Sequence, residues 1–82
     1  KTKTQAFYYI AKISFEQGRY SETLSAAKRA MSGPQRLSSW LLAGNACFKM
    51  KKKTCAASYY NKVLSAKPNH LEAKRNLTLL SR

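Results

Sequence analysis

WLLAGNACF, residues 40–48, sets a tryptophan, a glycine and a cysteine inside a stretch whose apolar residues recur with helical spacing. Trp40, Ala43, Gly44 and Cys47 fall at i, i+3, i+4 and i+7, which places them on one face of a helix. Glycine inside a helix costs about 1 kcal/mol relative to alanine, so Gly44 needs a reason. Either a second helix packs closely against its backbone, or the position has a chemical role. In the second case the neighbouring residues should supply chemistry.

The rest of the chain repeats the helical pattern. Turn signals at QGRY (17–20), SGPQ (32–35), KMKKKT (49–54) and KPNH (67–70) leave five segments of about twelve to fourteen residues. Phe7, Ile10, Ala11 and Ser14 show the same i, i+3, i+4, i+7 spacing as the 40–47 stretch, and no segment alternates with period two. Gly18 suits the left-handed position after a helix end. Pro34 and Pro68 block helix continuation through their loops, and Asn69 followed by Glu72 reads as a capping-box start for the last helix. The expected fold class is all-α, with five antiparallel helices joined by short connections.

Shifting the chain by 33 residues superposes Phe7 on Trp40, Ile10 on Ala43, Ala11 on Gly44, Ser14 on Cys47, Tyr20 on Lys53, Thr23 on Ala56, Ala27 on Tyr60, Ala30 on Val63 and Met31 on Leu64. Pro34 falls one residue short of Pro68, because MSGP is shorter than LSAKP. A period of this length signals stacked helical hairpins, each of which needs a neighbour to cover its apolar face.

The second copy reads Trp40-x2-Ala43-Gly44-x2-Cys47, then Ala56-x3-Tyr60, then Pro68. It resembles the tetratricopeptide repeat family, with Ala43 and Cys47 smaller than the usual residues. The first copy, Phe7-x2-Ile10-Ala11-x2-Ser14 and Thr23-x3-Ala27, is a degenerate version of the same pattern. The resemblance implies an α-α superhelix with repeat one over about 4–36, repeat two over about 37–70 and a capping helix over 71–82, where Lys74 stands in place of the large aromatic. It also gives Gly44 a packing role at the crossing of the paired helices, with Ala56 on the facing helix and Ala11 in the equivalent place of the first hairpin. Tyr60, Val63 and Leu64 are expected to fill the second hairpin, with Leu77 and Leu80 covering its open end.

Composition narrows the function classes. Sixteen Lys and Arg against three acids, Glu16, Glu22 and Glu72, give a net charge of +13, which favours acidic or neutral partners and opposes self-association. A chain opening on Lys1 is expected to be part of a longer protein. Its apolar runs fall far short of the ~20 residues needed to span a bilayer, so membrane insertion is not expected. Cys47 and Cys55 lack CxxC spacing, and the sequence lacks further ligands for a metal site. Both are expected to be reduced, with Cys47 a small core residue and a reducing compartment such as the cytoplasm favoured.

The inventory for catalysis is poor. His70 is the only histidine and is expected as a solvated turn residue; the acids sit on separate helices, and no glycine-rich phosphate loop occurs. No cofactor and no enzymatic activity are expected. The family resemblance implies a concave groove holding a peptide or helix of a partner, lined by Tyr8, Tyr9 and Lys12 of the first helix, Leu41, Asn45, Phe48 and Lys49 of the third, and Arg75, Asn76 and Leu79 of the fifth. Tyr8 and Tyr9 equally fit packing against a preceding repeat. The family's carboxylate clamp would need Lys and Asn where Tyr8 and Lys12 stand, Asn in place of Leu42, and Lys and Arg in place of Glu72 and Asn76, so a clamp of that type is not expected. Lys49, Lys51, Lys52 and Lys53 form a basic run on the turn within the second repeat, read as a solvated loop or as a patch for an acidic protein or for nucleic acid. Without an interleaved aromatic platform, nucleic-acid binding is the lesser alternative, beside assembly of copies through the first helix.

Overall fold

Two residues with positive φ mark where helices stop. Gly18 (φ 78°) and Lys51 (φ 61°) stand 33 positions apart, and the hydrogen bonds around them repeat with the same offset. Arg19 N–H donates to the Ser14 carbonyl at 2.9 Å and Gly18 N–H to Phe15 at 3.0 Å; Lys52 N–H donates to Cys47 at 2.9 Å and Lys51 N–H to Phe48 at 3.0 Å. The 6→1 bond closing over a left-handed residue is a Schellman ending, which satisfies carbonyls the helix leaves free. Glycine takes that conformation without steric penalty, whereas lysine pays for its Cβ. Lys51→Gly is therefore expected to raise stability by about 1 kcal/mol, read as an increased urea midpoint; an unchanged or lower midpoint would contradict the left-handed turn.

The computed structural model describes residues 2–81, apart from the Thr2 side chain. Its elements are α1 (Thr2–Glu16), α2 (Tyr20–Ala30), α3 (Arg36–Lys49), α4 (Lys53–Ala66) and α5 (Leu71–Leu80), with no strand among the described residues. Each helix packs on its chain neighbour, so α1–α2 and α3–α4 form hairpins closed by α5, and α1 also touches α3. The fold is all-α, as the periodicity predicts.

Burial follows the 33-residue register. Ala11 and Gly44, Ser14 and Cys47, Thr23 and Ala56, Ala27 and Tyr60, and Ala30 and Val63 are each buried in both copies. One cluster joins Ala11, Ala26, Ala27 and Ala43, small residues that let α1, α2 and α3 approach closely. A second contains Cys47, Ala56, Tyr60, Val63 and Ala73, with Trp40, Leu64, Leu77 and Leu80 packed against it. Ile10 departs from the register: it is exposed while its counterpart Ala43 is buried, because Ala43 packs into the first hairpin and Ile10 has no earlier hairpin among the described residues.

Gly44 lies where the helices of the second hairpin cross. A Cβ built there would stand 2.9 Å from Tyr60 Cε1, 3.0 Å from Tyr60 Cδ1 and 3.3 Å from Tyr59 Cβ. The close-packing explanation holds, and the nearest atoms across the crossing belong to the Tyr60 ring and to Tyr59, on the same facing helix as Ala56.

Three sequence expectations need correction. Cys47 and Cys55 are not reduced but form a disulfide, with Cα atoms 5.8 Å apart. The left-handed turn folds the last turn of α3 against the first turn of α4, so a spacing of eight residues pairs two cysteines that a motif search treats as unrelated. The bond removes the ground for favouring a reducing compartment. At α5, His70 and not Asn69 is the N-cap, its Nδ1 accepting from the Ala73 N–H at 3.2 Å, so it is a capping residue rather than a merely solvated one. The run 49–54 is also not all turn: Lys49 ends α3 and Lys53 begins α4.

Candidate functional site

Helices α3 and α5 contribute one face each, and α1 the single side chain of Phe15, to an open recess of about 420 Å³, lined by Phe15, Asn45, Phe48, Lys49, Glu72, Arg75, Asn76 and Leu79. Asn45, Phe48 and Lys49 follow at i, i+3 and i+4 on α3, and Glu72, Arg75, Asn76 and Leu79 repeat that spacing on α5, so each helix presents a single stripe. Phe15, Phe48 and Leu79 supply apolar surface, Lys49 and Arg75 supply cations, and Glu72 is the one acid in the lining.

A polar network forms the floor. The Tyr60 hydroxyl donates to Asn45 Oδ1 at 2.6 Å, while Asn76 Nδ2 donates to the same oxygen at 3.2 Å and to the Tyr60 oxygen at 3.3 Å. Asn45 Nδ2 donates in turn to Glu72 Oε2 at 3.2 Å, tying α3, α4 and α5 together. Asn45 is thus committed to the scaffold through both ends of its amide. Its role is to hold the recess floor, with less capacity to meet a ligand than an unengaged amide has.

Burial pushes the Tyr60 phenol up to about 12; the hydrogen bond from Asn76 opposes this and the Glu72 charge adds to it. Since the folded chain holds this proton to a higher pH than the unfolded chain, between about pH 10 and 12 the unfolded state binds fewer protons and stability falls as pH rises. The contribution is fully present below pH 10 and is lost as pH rises through 12, amounting to roughly 2 kcal/mol by pH 12. Denaturant titrations at pH 9 and 11.5 are expected to show this loss in the wild type and a smaller one in Tyr60→Phe. Equal losses would remove the assignment to Tyr60.

The recess gathers Asn45, Phe48, Lys49, Arg75, Asn76 and Leu79 of the residues expected from sequence, but not the others. Leu41 is half-buried and packs on the second core cluster. Tyr8 and Tyr9 meet each other with tilted rings, 5.5 Å between centroids and 57° between planes, outside the recess, and Lys12 is exposed on α1. Phe15 was missed as a lining residue, although it is the 33-residue counterpart of Phe48. The basic run divides: Lys49 lines this recess, while Lys52 lines a separate trough against α2.

Among the described residues no three His, Cys, Asp or Glu side chains group as metal ligands, and no helix is long and apolar enough to cross a membrane. No known family profile and no curated sequence matches this chain.

Proposed function

We propose that the chain is a non-catalytic protein-interaction module of two tetratricopeptide-like hairpins and a closing helix, which takes up an acidic or amphipathic segment of a partner protein in the α1–α3–α5 recess. The observation that carries this reading is the recess itself: apolar surface from Phe15, Phe48 and Leu79 beside the cations Lys49 and Arg75, over a floor held rigid by the Tyr60–Asn45–Asn76 network. A partner's apolar side chain would seat against the aromatic wall, and its carboxylates would meet Lys49 and Arg75.

Fluorescein-labelled twelve-residue peptides, one set acidic and amphipathic and one set with lysine in place of each acid, test the reading by anisotropy. Members of the acidic set are expected to bind, with affinity at least tenfold weaker in Phe48→Ala/Arg75→Ala. Equal affinity for wild type and variant overturns it.

Assembly of copies is a second reading, favoured by one feature: Tyr9, Ile10 and Ile13 leave an apolar stripe of α1 about half exposed, at 49%, 49% and 54%. Charge repulsion at +13 opposes it. Sedimentation across a concentration series decides the matter, and a strict monomer removes this reading.

A further inference from the structure

A second concavity lies on the α2 side of the molecule and shares no residue with the recess described above. It is a trough of about 410 Å³ lined by Ser21, Leu24, Ser25, Lys28, Arg29, Met50 and Lys52. Ser21, Ser25 and Lys28 fall at i, i+4 and i+7 on α2, forming a stripe of hydroxyls and cation, and Lys52 faces it from the α3–α4 connection. Lys51 and Lys53 flank Lys52 in the chain, and both are exposed. The Arg29 guanidinium rests 4.7 Å from the centroid of the Phe7 ring, which limits its freedom. No acid lines the trough, and Glu22, the one acid on α2, is paired with Arg19 at 3.6 Å.

We propose that this trough binds the phosphodiester backbone of a nucleic acid, without reading its bases. The lining discriminates between classes of polyanion. An interface for an acidic protein segment seats apolar or aromatic anchors in a desolvated centre, but the apolar residues here are already committed: Leu24 packs on both core clusters, and the Met50 sulfur accepts the Ser21 hydroxyl at 3.6 Å. What remains for a ligand is positive charge and the Ser25 hydroxyl, since the Ser21 hydroxyl already donates to Met50; cations and hydroxyls are the groups that contact phosphate and sugar. The trough offers no aromatic ring for base stacking, so affinity rests on counterion release and carries no sequence preference. Lys28, Arg29, Lys51, Lys52 and Lys53 together would give a slope of log affinity on log salt of about −3.5 for a single strand.

The test compares two variants of equal net charge: Lys28→Gln/Arg29→Gln/Lys52→Gln in the trough, and Lys3→Gln/Lys67→Gln/Lys74→Gln elsewhere, both checked by thermal melting. A labelled twelve-nucleotide RNA, a twelve-base-pair DNA duplex, polyglutamate and phosphatidylglycerol vesicles are titrated at 50 and 200 mM salt. The expected result is RNA or DNA binding at 50 mM salt that weakens at least tenfold in the trough variant and less than threefold in the control, with the single-strand salt slope made shallower by about 2. Equal loss in both variants assigns binding to net charge and overturns the site. So does an absence of oligonucleotide binding, or stronger trough-dependent binding of polyglutamate or vesicles. Peptide binding in the α1–α3–α5 recess does not enter these readouts, so the two readings stand or fall separately.

Discussion

Gly44→Leu is expected to destabilise the fold by about 3 kcal/mol, at the upper end of the usual overpacking range, and to lower the melting temperature by more than about 10 °C for a domain of this size. The size of the effect follows from the neighbour. Even the first atom of a side chain at Gly44 would meet the Tyr60 ring at 2.9 Å. That ring is fully buried, and its hydroxyl is anchored to Asn45 and Asn76, so it cannot swing aside without breaking the network under the recess. Helices α3 and α4 would have to separate, loosening Cys47, Ala56 and Val63 together. Leucine restores the helix propensity that glycine lacks, about 0.8–1 kcal/mol, but this offsets only part of the clash. An unchanged melting temperature would contradict the close crossing.

Opening the Cys47–Cys55 disulfide is expected to cost about 2.5 kcal/mol, the loop-closure entropy of a closed loop of this length. The bond joins α3 to α4 across the connection that carries the left-handed Lys51, so it fixes the hairpin at its turn. Urea midpoints with and without a phosphine reductant should differ accordingly in the wild type and coincide in Cys47→Ala/Cys55→Ala. A thiol assay on unreduced, unfolded protein should find no free thiol. Two thiols per chain, or equal wild-type midpoints, would remove the bond from the account.

The hairpin register was legible in the sequence because repetition and burial are the same constraint: Ser14 and Cys47, or Ala30 and Val63, share a period because each faces the same interior. Features set by contact between distant residues were harder to read. Tyr60 looked like simple core, yet its hydroxyl organises Asn45 and Asn76, a link between three helices that no local pattern encodes. The cysteine pairing depended on how sharply the 50–52 connection turns, and that depends on a lysine adopting a conformation ordinarily left to glycine. His70 displaced Asn69 as the cap because α5 starts at Leu71, one residue later than the Asn69–Glu72 spacing suggests. In the candidate site, the α3 and α5 contributions followed from helical spacing, while on α1 the face was right for Tyr8 and Lys12, which precede Phe15 by seven and three residues, but not the level: only Phe15, in the last turn, lines the recess, and Tyr8, Tyr9 and Lys12 do not. The repeat itself held that information, since Phe15 matches Phe48.

The central claim is that the protein binds its partner on the face shared by α1, α3 and α5. Two-dimensional NMR of isotope-labelled protein, titrated with the tightest peptide of the acidic set, addresses it directly. The account predicts shift changes concentrated at Phe15, Phe48, Lys49, Arg75, Asn76 and Leu79, with the α2 and α4 amides little moved. Changes confined to α2 and α4, or no saturable change with any acidic peptide, would contradict it.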